Sequence, residues 1–478
     1  MAPRPSTSDD WRGALPVNLL TSSTVLLLPL LALAVSFLTI ALQLLGTLLF
    51  VKLTCKVRPP AAMSLTSLRG FITSMKLQMM IMASDRLGDA SLASSYLRLC
   101  GAKIGKGCAM ATEIMLPETV EIGDGCFFAT GNVISSMEID QGQLKFPCKT
   151  IIDNNCFMGN MNHIVEGLPQ GSFAGVCTWL PKKPTEPNAS FFGNPPLQFS
   201  RAQLRPESGP EPGSRFEYFW HHFSTSFLDI FMWDGLKSLE MVLYFVVGRM
   251  HVPEVDSFAD CLHLVGYALG FPLAAWILMS VVIANFCYSS SMPSSNRYFS
   301  VVPPCWFNCL RIRKVFKNPI QAAGTQWLAP LLRLQGASIG KNFFCVNEDV
   351  LIDPPFARVE DNAIVDYDAM VRNHSFEDYR LKFAAFTLGS GATLMQGAIL
   401  AMSDAGKKSV LRPCSVTWKG QQLAEGTAYQ GSPAREEADP DLEAPQGARP
   451  SSLLAVPRAQ LKLGSNSSRG SASTATPT

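Results

Sequence analysis

The 478-residue chain carries 40 lysines and arginines against 38 aspartates and glutamates, so its net charge is only +2. No dense basic stripe accompanies this balance, which argues against nucleic acid as a partner. Hydrophobic residues make up 47% and charged residues 16%, a composition shifted from soluble enzymes toward proteins with membrane spans. The length exceeds what one core usually holds, so we expect two or more domains.

The first long apolar segment predicts a membrane helix over about residues 20–51. No charged residue occurs from Gly13 to Val51, and a helical span needs roughly 20 apolar residues. A signal peptide is the competing interpretation, but its apolar region should be shorter and should end at a small-residue cleavage site. A second charge-free run, from Leu262 to Asn296, predicts another span.

Between these runs, the apolar stretch from Phe223 to Val247 contains four charged residues. Each would cost about 2.5 to 3.5 kcal/mol at the centre of a bilayer. They fall on one side of a helix: Asp229, Asp234, Lys237 and Glu240. The stretch therefore either spans the membrane with this stripe packed against another helix, or lies in the membrane interface.

Basic residues cluster directly after the first and the last apolar runs. They are Lys52, Lys56, Arg58 and Arg69, then Arg297, Arg311, Arg313, Lys314 and Lys317. The positive-inside rule then predicts an integral membrane protein whose flanking modules face the cytosol.

An internal duplication divides the rest of the chain. Leu97–Gly105 reads Leu-Arg-Leu-Cys-Gly-Ala-Lys-Ile-Gly, and Leu332–Gly340 reads Leu-Arg-Leu-Gln-Gly-Ala-Ser-Ile-Gly at an offset of 235. Later matches follow in the same order, with offsets between 235 and 238. The sequence therefore contains two copies of one structural unit.

Each copy has a six-residue rhythm. Apolar residues recur at intervals of six or twelve, as at Ile122, Phe128 and Ile134, and a small residue often stands four positions later, as Cys126 does after Ile122. Stacked triangular coils of three hexapeptides would bury these residues in a continuous core. The expected fold class is mixed: two left-handed parallel β-helix (hexapeptide-repeat) modules plus transmembrane α-helices.

These patterns predict eight segments along the chain. They are an N-terminal transmembrane segment (1–60), connecting helices (61–95), a first β-helix module (96–200), a linker (201–215), a transmembrane helical hairpin (216–296), connecting helices (297–328), a second β-helix module (329–435) and a disordered tail (436–478).

The lead-in to the second copy carries a family resemblance. The stretch Gly324–Gly340 ends in Leu-Arg-Leu-Gln-Gly-Ala-Ser-Ile-Gly, and it resembles the start of the tandem β-helix modules in the Pls/PosA group of non-ribosomal-peptide-synthetase-like proteins, which is similar to epsilon-poly-lysine synthetase. The resemblance covers residues from about 20 to 435. It implies a membrane-bound hexapeptide-repeat acyltransferase that transfers an activated acyl group to an amine-bearing acceptor, forming an amide or an ester.

The same resemblance constrains the acyl donor. Proteins of that group also hold an adenylation domain and a phosphopantetheine carrier, and neither is recognisable in this sequence. We therefore expect no tightly bound cofactor. The donor would be acyl-coenzyme A or an acyl group on a carrier, with an acyl-carrier or adenylation protein acting in trans beside the membrane.

Among six histidines, His374 is the candidate general base. It follows Val371 of a coil and precedes Leu381, where the rhythm breaks and a loop should leave the coil. We expect Glu377 or Asp378 to hold its ring in one tautomer, which would make all three residues part of the catalytic site. The alternative is a solvated loop histidine beside chance acids.

The first copy carries Met137 at the position that matches His374, so the first module should lack this base. His163, beside Ile164 and near Glu166, is a weaker candidate there, the alternative being a residue of the coil wall.

Thirteen cysteines do not predict a metal site. The small-residue positions of the hexapeptides account for Cys108, Cys126 and Cys156, and no Cys-x-x-Cys pair occurs. No metal is therefore expected, and a zinc hydratase is disfavoured.

Two function classes stay open. One is the membrane-bound acyltransferase, and the other is a non-catalytic membrane-anchored scaffold built from degenerate β-helices. A transporter would need more membrane spans than the sequence provides. The donor, the acceptor, the membrane and the oligomeric state are not fixed by the sequence, although two tandem modules could replace the subunit contact of trimeric β-helix acyltransferases.

Overall fold

The computed structural model describes residues 22–87, 92–112, 114–200, 214–226, 295–315, 323–346, 351–377 and 379–437, together with some residues between 257 and 282. Helices in this part of the chain include α1 (Ser22–Leu53), α2 (Leu68–Leu87), α3 (Ala93–Cys100), α4 (Arg215–Phe223), α5 (Val302–Val315) and α6 (Leu328–Leu334). Short 3-10 turns cover Pro117–Thr119 and Pro354–Phe356.

Helix α1 is long and apolar enough to cross a membrane. Its segment Leu30–Leu53 has 24 residues and a mean hydropathy of 2.2, and Leu30 and Leu38 are more than half exposed, at 63% and 59%. Most of the span predicted at about residues 20–51 lies within this helix. The other predicted membrane segments, 223–247 and 262–296, lie largely outside the described residues, as does the tail beyond residue 437.

The first module, residues 96–200, contains three sheets of short parallel strands. Sheet A holds Lys103–Ile104, Val120–Ile122, Thr150–Ile152 and Gly167–Leu168. Sheet B holds Ala109–Met110, Phe127–Phe128, Phe157–Met158, Phe173–Ala174 and Ser190–Phe192, closed by the antiparallel Leu197–Phe199. Sheet C holds Val133–Ile134, His163–Ile164 and Trp179–Leu180. The chain visits A, B and C in turn, and three of its circuits add a strand to each sheet.

The second module, residues 329–435, repeats this order. Sheet D holds Ser338–Ile339, Ala357–Val359, Phe386–Leu388, Asp404–Ala405 and Gln422–Leu423. Sheet E holds Phe344–Cys345, Ile364–Val365, Thr393–Leu394, Val410–Leu411 and Ala428–Gln430, closed by the antiparallel Arg435–Glu437. Sheet F holds Met370–Arg372 and Ile399–Ala401. The closing strand extends two residues past the predicted end of the module.

The hexapeptide residues form the core of each module. Ile104, Ile122 and Ile152 stand in register on adjacent strands of sheet A, and all three are buried. The small residue four positions after Ile122, Cys126, is fully buried, and its Sγ donates to the Asp153 carbonyl at 3.1 Å. A larger side chain at that position would collide with the neighbouring turn, which explains the small-residue rule.

A β-hairpin leaves each module where the hexapeptide rhythm breaks. The first hairpin pairs Glu138–Asp140 with Gln143–Phe146, and Ala61–Ser64 adds a third strand. The second hairpin pairs His374–Glu377 with Arg380–Phe383, and Ser295–Arg297 adds the third strand. In both copies a helix follows the third strand, α2 in the first and α5 in the second.

The second hairpin reaches across to the first module. Tyr379 Oη donates to the Gly125 carbonyl at 2.6 Å, and the rings of Phe376 and Phe127 lie 5.9 Å apart. A further contact is the stacked pair Phe192 and Trp418, whose ring centroids are 4.4 Å apart. The two modules are therefore joined along a face that the second hairpin partly covers.

Candidate functional site

His374 begins the first strand of the second hairpin and is held by a buried carboxylate. Its Nδ1 lies 2.6 Å from Oδ2 of Asp353, and the side chains are 8% and 0% exposed respectively. Asp353 immediately precedes the 3-10 turn Pro354–Phe356. Two consecutive prolines fix the backbone after the carboxylate, which sets the direction from which it approaches the hairpin.

Two further side chains fix Asp353 in place. Trp306 of helix α5 donates its Nε1 hydrogen to Oδ1 of Asp353 at 2.8 Å, and Asn373 Nδ2 donates to the Asp353 carbonyl at 3.0 Å. The Trp306 ring also packs against the His374 ring, with centroids 4.6 Å apart and planes 63° apart. Both carboxylate oxygens are thus engaged, one by the indole and one by the imidazole.

This arrangement selects one tautomer of His374. A carboxylate only accepts hydrogen bonds, so Nδ1 carries the hydrogen that it donates to Asp353, and Nε2 keeps its lone pair for another group. A histidine held in this way by a buried aspartate can take a proton from a nucleophile and later return it.

The structure corrects the expectation that Glu377 orients this ring. The carboxylate of Glu377 instead accepts from Lys419 Nζ at 2.9 Å and from Lys382 Nζ at 3.3 Å. Side chains alternate along a strand, so Glu377 projects from the face of the hairpin opposite to His374. Asp378, the other predicted partner, lies outside the described residues.

The sequence did not predict Asp353 as the partner of His374, because it lies 21 residues earlier, in the preceding circuit of the chain. A comparison of the two copies could have identified Asp353. At the offset of 237 that pairs His374 with Met137, Asp353 pairs with Leu116, so polar residues replace apolar ones at both positions of the second copy. No comparable signal marks Trp306.

Two cavities meet at His374, and residues of both modules form their walls. The first has a volume of about 300 Å³ and is mostly apolar, with Phe157 and Phe173 on one side and Ile399 and Trp418 on the other. The second has a volume of about 330 Å³ and reaches toward Trp306. The residues common to both linings are Ala129, Asn160, Arg372, His374 and Phe376. A ligand in either cavity would therefore lie beside the imidazole.

Charged groups line one side of the first cavity. Glu377 and Lys419 form part of its wall, and Lys419 also donates to Ser375 Oγ at 2.9 Å. Burial lowers the pKa of the Arg372 guanidinium, while the negative charge of Asp353 acts in the opposite direction. An arginine stays protonated despite such a shift, so the junction of the cavities carries a positive charge.

The weaker candidate of the first module is not part of this site. His163 lies in sheet C, in register with Val133 and Trp179, and lines neither cavity. Its ring belongs to the wall of the first module, where it is not brought together with His374.

A comparison with curated proteins finds delta-poly-L-ornithine synthetase of Acinetobacter baumannii (strain AB307-0294), which is 26% identical over 369 residues. The match covers 72% of this chain and 26% of that protein, so the chain spans about a quarter of the length of its relative. No protein-family model matches the chain, and no solved structure matches it. Over most of its length, this chain is therefore related to a Pls/PosA-like peptide synthetase.

Proposed function

We propose that this protein is a membrane-bound acyltransferase that forms an amide by moving an acyl group from a thioester to an amine-bearing acceptor. The observation that carries the proposal is the pairing of His374 with Asp353 where two cavities meet between the modules. A synthetase relative supports an amide-forming role, and the cavities offer separate places for donor and acceptor.

The proposed reaction uses His374 as base and then as acid. The neutral acceptor amine attacks the thioester carbonyl carbon, and a carbon–nitrogen bond forms in a tetrahedral intermediate. Nε2 of His374 takes a proton from that nitrogen, the carbon–sulfur bond breaks, and the proton passes to the departing thiolate. The products are an amide and a free thiol. Asp353 holds the ring and stabilises the imidazolium formed between the two proton transfers.

The donor in this proposal is supplied from outside the chain. A thioester of coenzyme A or of a phosphopantetheine carrier would place its acyl group at the junction, with an adenylation protein charging the carrier in trans. The mostly apolar cavities suit an extended acyl or pantetheine arm better than a compact polar metabolite.

The proposal includes the fold and the topology. We infer that each module is a left-handed parallel β-helix, in support of which the chain visits three parallel sheets in turn. Helix α1 would anchor the protein in a membrane, with both modules on the cytosolic side, as the basic residues after it suggest.

A scaffold remains the second candidate, and the first module favours it. There Leu116 and Met137 occupy the positions of Asp353 and His374, and both pack in an apolar cluster with Leu144 and Phe146. The first module therefore carries no acid–base pair at this position. In our proposal it contributes a wall of the cavities instead of the general base.

The test is acyl transfer by the full-length protein purified in detergent. Labelled acyl-coenzyme A and an acyl-loaded carrier would be offered with a panel of amines that includes ornithine and lysine. His374→Ala should lower kcat by at least about a hundredfold, because a general base typically contributes about 10² to 10⁴. His163→Ala, a change in the wall of the first module, should leave kcat within about threefold.

Equal activity in the wild type and the His374→Ala protein would remove His374 from the mechanism. No transfer by a folded wild-type protein with any donor of the panel would favour the scaffold. Circular dichroism would establish folding in each case.

A further inference from the structure

Arg372 lies at the place where the two cavities meet. It ends the sheet F strand Met370–Arg372, two residues before His374, and lines both cavities. Its Nη2 lies 3.3 Å from the Met370 sulfur, a weak acceptor. Within the described residues, no carboxylate lies within ion-pair distance of this guanidinium. The negative charge of Asp353 acts on the pKa of Arg372 against the effect of burial.

Asn160 of the first module faces the same junction. Its main-chain carbonyl accepts from Cys177, while its side-chain amide has no hydrogen-bond partner in the described part of the chain. It also lines both cavities. The amide contributes NH donors, and the guanidinium contributes up to five. One hydrogen-bond donor group from each module thus lines the two cavities that His374 also lines.

A half-buried cation without a direct ion pair is stabilised when a ligand adds negative charge beside it. Two donor groups that border the same cavity as a general base match the needs of acyl transfer, because the carbonyl oxygen becomes negatively charged when the tetrahedral intermediate forms. A preformed pair of donors would stabilise that oxygen without reorganisation of solvent.

We propose that Arg372 and Asn160 form an oxyanion-binding site for the acyl carbonyl oxygen, with Arg372 as a further catalytic residue. The proposal rests on the proposed acyl transfer and deepens it. His374 handles the proton and Arg372 the oxyanion, and the reacting carbon lies between them. One donor comes from each module, so the reacting group contacts both copies of the duplication.

A different role for Arg372 would be purely structural, as a positive charge that stabilises the buried Asp353. The two roles predict different measurements. A structural cation would alter folding stability and the position of His374 but would not bind a small anion. An oxyanion site binds a tetrahedral anion in the absence of any acyl donor.

The experiment therefore combines kinetics with binding of methylphosphonate, a tetrahedral anion that resembles the intermediate. Arg372→Met should lower kcat by about 10² to 10³, the usual effect of removing such a donor, with KM within about threefold. It should also weaken methylphosphonate binding by at least about tenfold in calorimetry. Arg372→Lys keeps the charge but loses the planar guanidinium, so its kcat and its methylphosphonate affinity should lie between those of the wild type and of Arg372→Met. Asn160→Ala should show the same pattern with a smaller effect.

Arg358→Met is the matched control, because Arg358 is exposed on sheet D of the same module and lines neither cavity. It should bind methylphosphonate as the wild type does. Arg372→Lys keeps the test valid if the methionine variant fails to fold.

Each outcome separates this inference from the proposed function. Anion binding that depends on Arg372, without transfer from any donor, would support the anion site and overturn acyl transfer. Acyl transfer with unchanged kcat in Arg372→Met, or methylphosphonate binding that is absent or independent of Arg372, would overturn the oxyanion site and leave acyl transfer standing.

Discussion

The two modules share their framework and differ in the chemistry that it carries. Both have three parallel sheets, a 3-10 turn, a hairpin and a third hairpin strand contributed from the preceding segment. In the first module the residue before the 3-10 turn is Leu116, and the residue at the base of the hairpin is Met137. In the second they are Asp353 and His374, and they form a short hydrogen bond. The same backbone therefore supports an apolar cluster in one copy and an acid–base pair in the other.

The helix behind each hairpin follows the same division. In the first module, Lys76 of α2 forms an ion pair with Glu118 at 2.8 Å, and the side chains are only 1% and 9% exposed. In the second module, Trp306 of α5 donates to Asp353. Each helix thus directs a buried polar side chain toward the loop around the 3-10 turn. In the first copy Lys76 forms a buried ion pair with Glu118. In the second, Trp306 bonds Asp353, which in turn bonds His374 beside a cavity.

The largest expected effect comes from Asp353→Asn, which would make the second module resemble the first in charge. The amide can donate to Nδ1 and so favour the wrong tautomer of His374, and kcat should fall by about 10³ to 10⁴. KM should stay within about threefold, since Asp353 acts through His374 and is a positioning residue.

Asp140→Asn on the exposed first hairpin is the control, and it should leave both constants unchanged. If kcat fell by less than about tenfold in Asp353→Asn, the Asp353–His374 pair would not be the functional difference between the second module and the first.

The next effect concerns stability in the first module. Lys76→Met leaves the buried Glu118 without its cationic partner, and breaking one side of a buried ion pair costs about 3 to 5 kcal/mol. Guanidinium unfolding followed by tryptophan fluorescence would measure the loss. The double change Lys76→Met with Glu118→Leu should recover most of it, because no unpaired charge remains.

Lys145→Met removes the exposed pair with Asp140 and should change stability by no more than about 1 kcal/mol. If Lys76→Met were equally mild, the polar contact behind the first hairpin would be incidental.

The smallest effect concerns the outer wall of sheet A. Hydrogen bonds from Lys149 and then Lys103 lower the pKa of Glu121 below its ordinary value. Such a carboxylate stabilises the fold above its unfolded pKa, and the contribution disappears as the pH falls through the lower folded pKa. Glu121→Gln should therefore cost at most about 1 kcal/mol at neutral pH and nothing at strongly acidic pH.

The second module carries Arg358 at the position of Glu121. The change in unfolding free energy caused by Arg358→Gln should be the same at neutral and at acidic pH, because arginine stays charged throughout. If the effects of Glu121→Gln and Arg358→Gln depended on pH in the same way, the charges at these two positions would not distinguish the modules.

The sequence alone predicted much of the framework but only half of the site. Hexapeptide positions such as Ile122 and Ile152 are buried on strands, and the break in rhythm after Val371 coincides with the second hairpin. Periodicity reveals such features because every circuit repeats the same local geometry. The left-handed β-helix fold of each module and the catalytic role of His374 stay predictions.

The partner of His374 could not be read from its neighbours, because Asp353 approaches from another circuit and Glu377 points away. The cavities were also unpredictable from either copy by itself. They depend on the contact of Phe376 and Tyr379 with the first module, and a contact between modules leaves no periodic trace in the sequence.

The reach of the second hairpin onto the first module has an evolutionary consequence. In an assembly of identical subunits, any substitution in a shared site appears at once on both sides of every interface. Here the wall that holds Asn160 and the wall that holds His374 are encoded by different stretches of one gene. Mutation can therefore reshape the cavity wall of one copy while the Asp353–His374 pair of the other is kept, so the two walls can change separately.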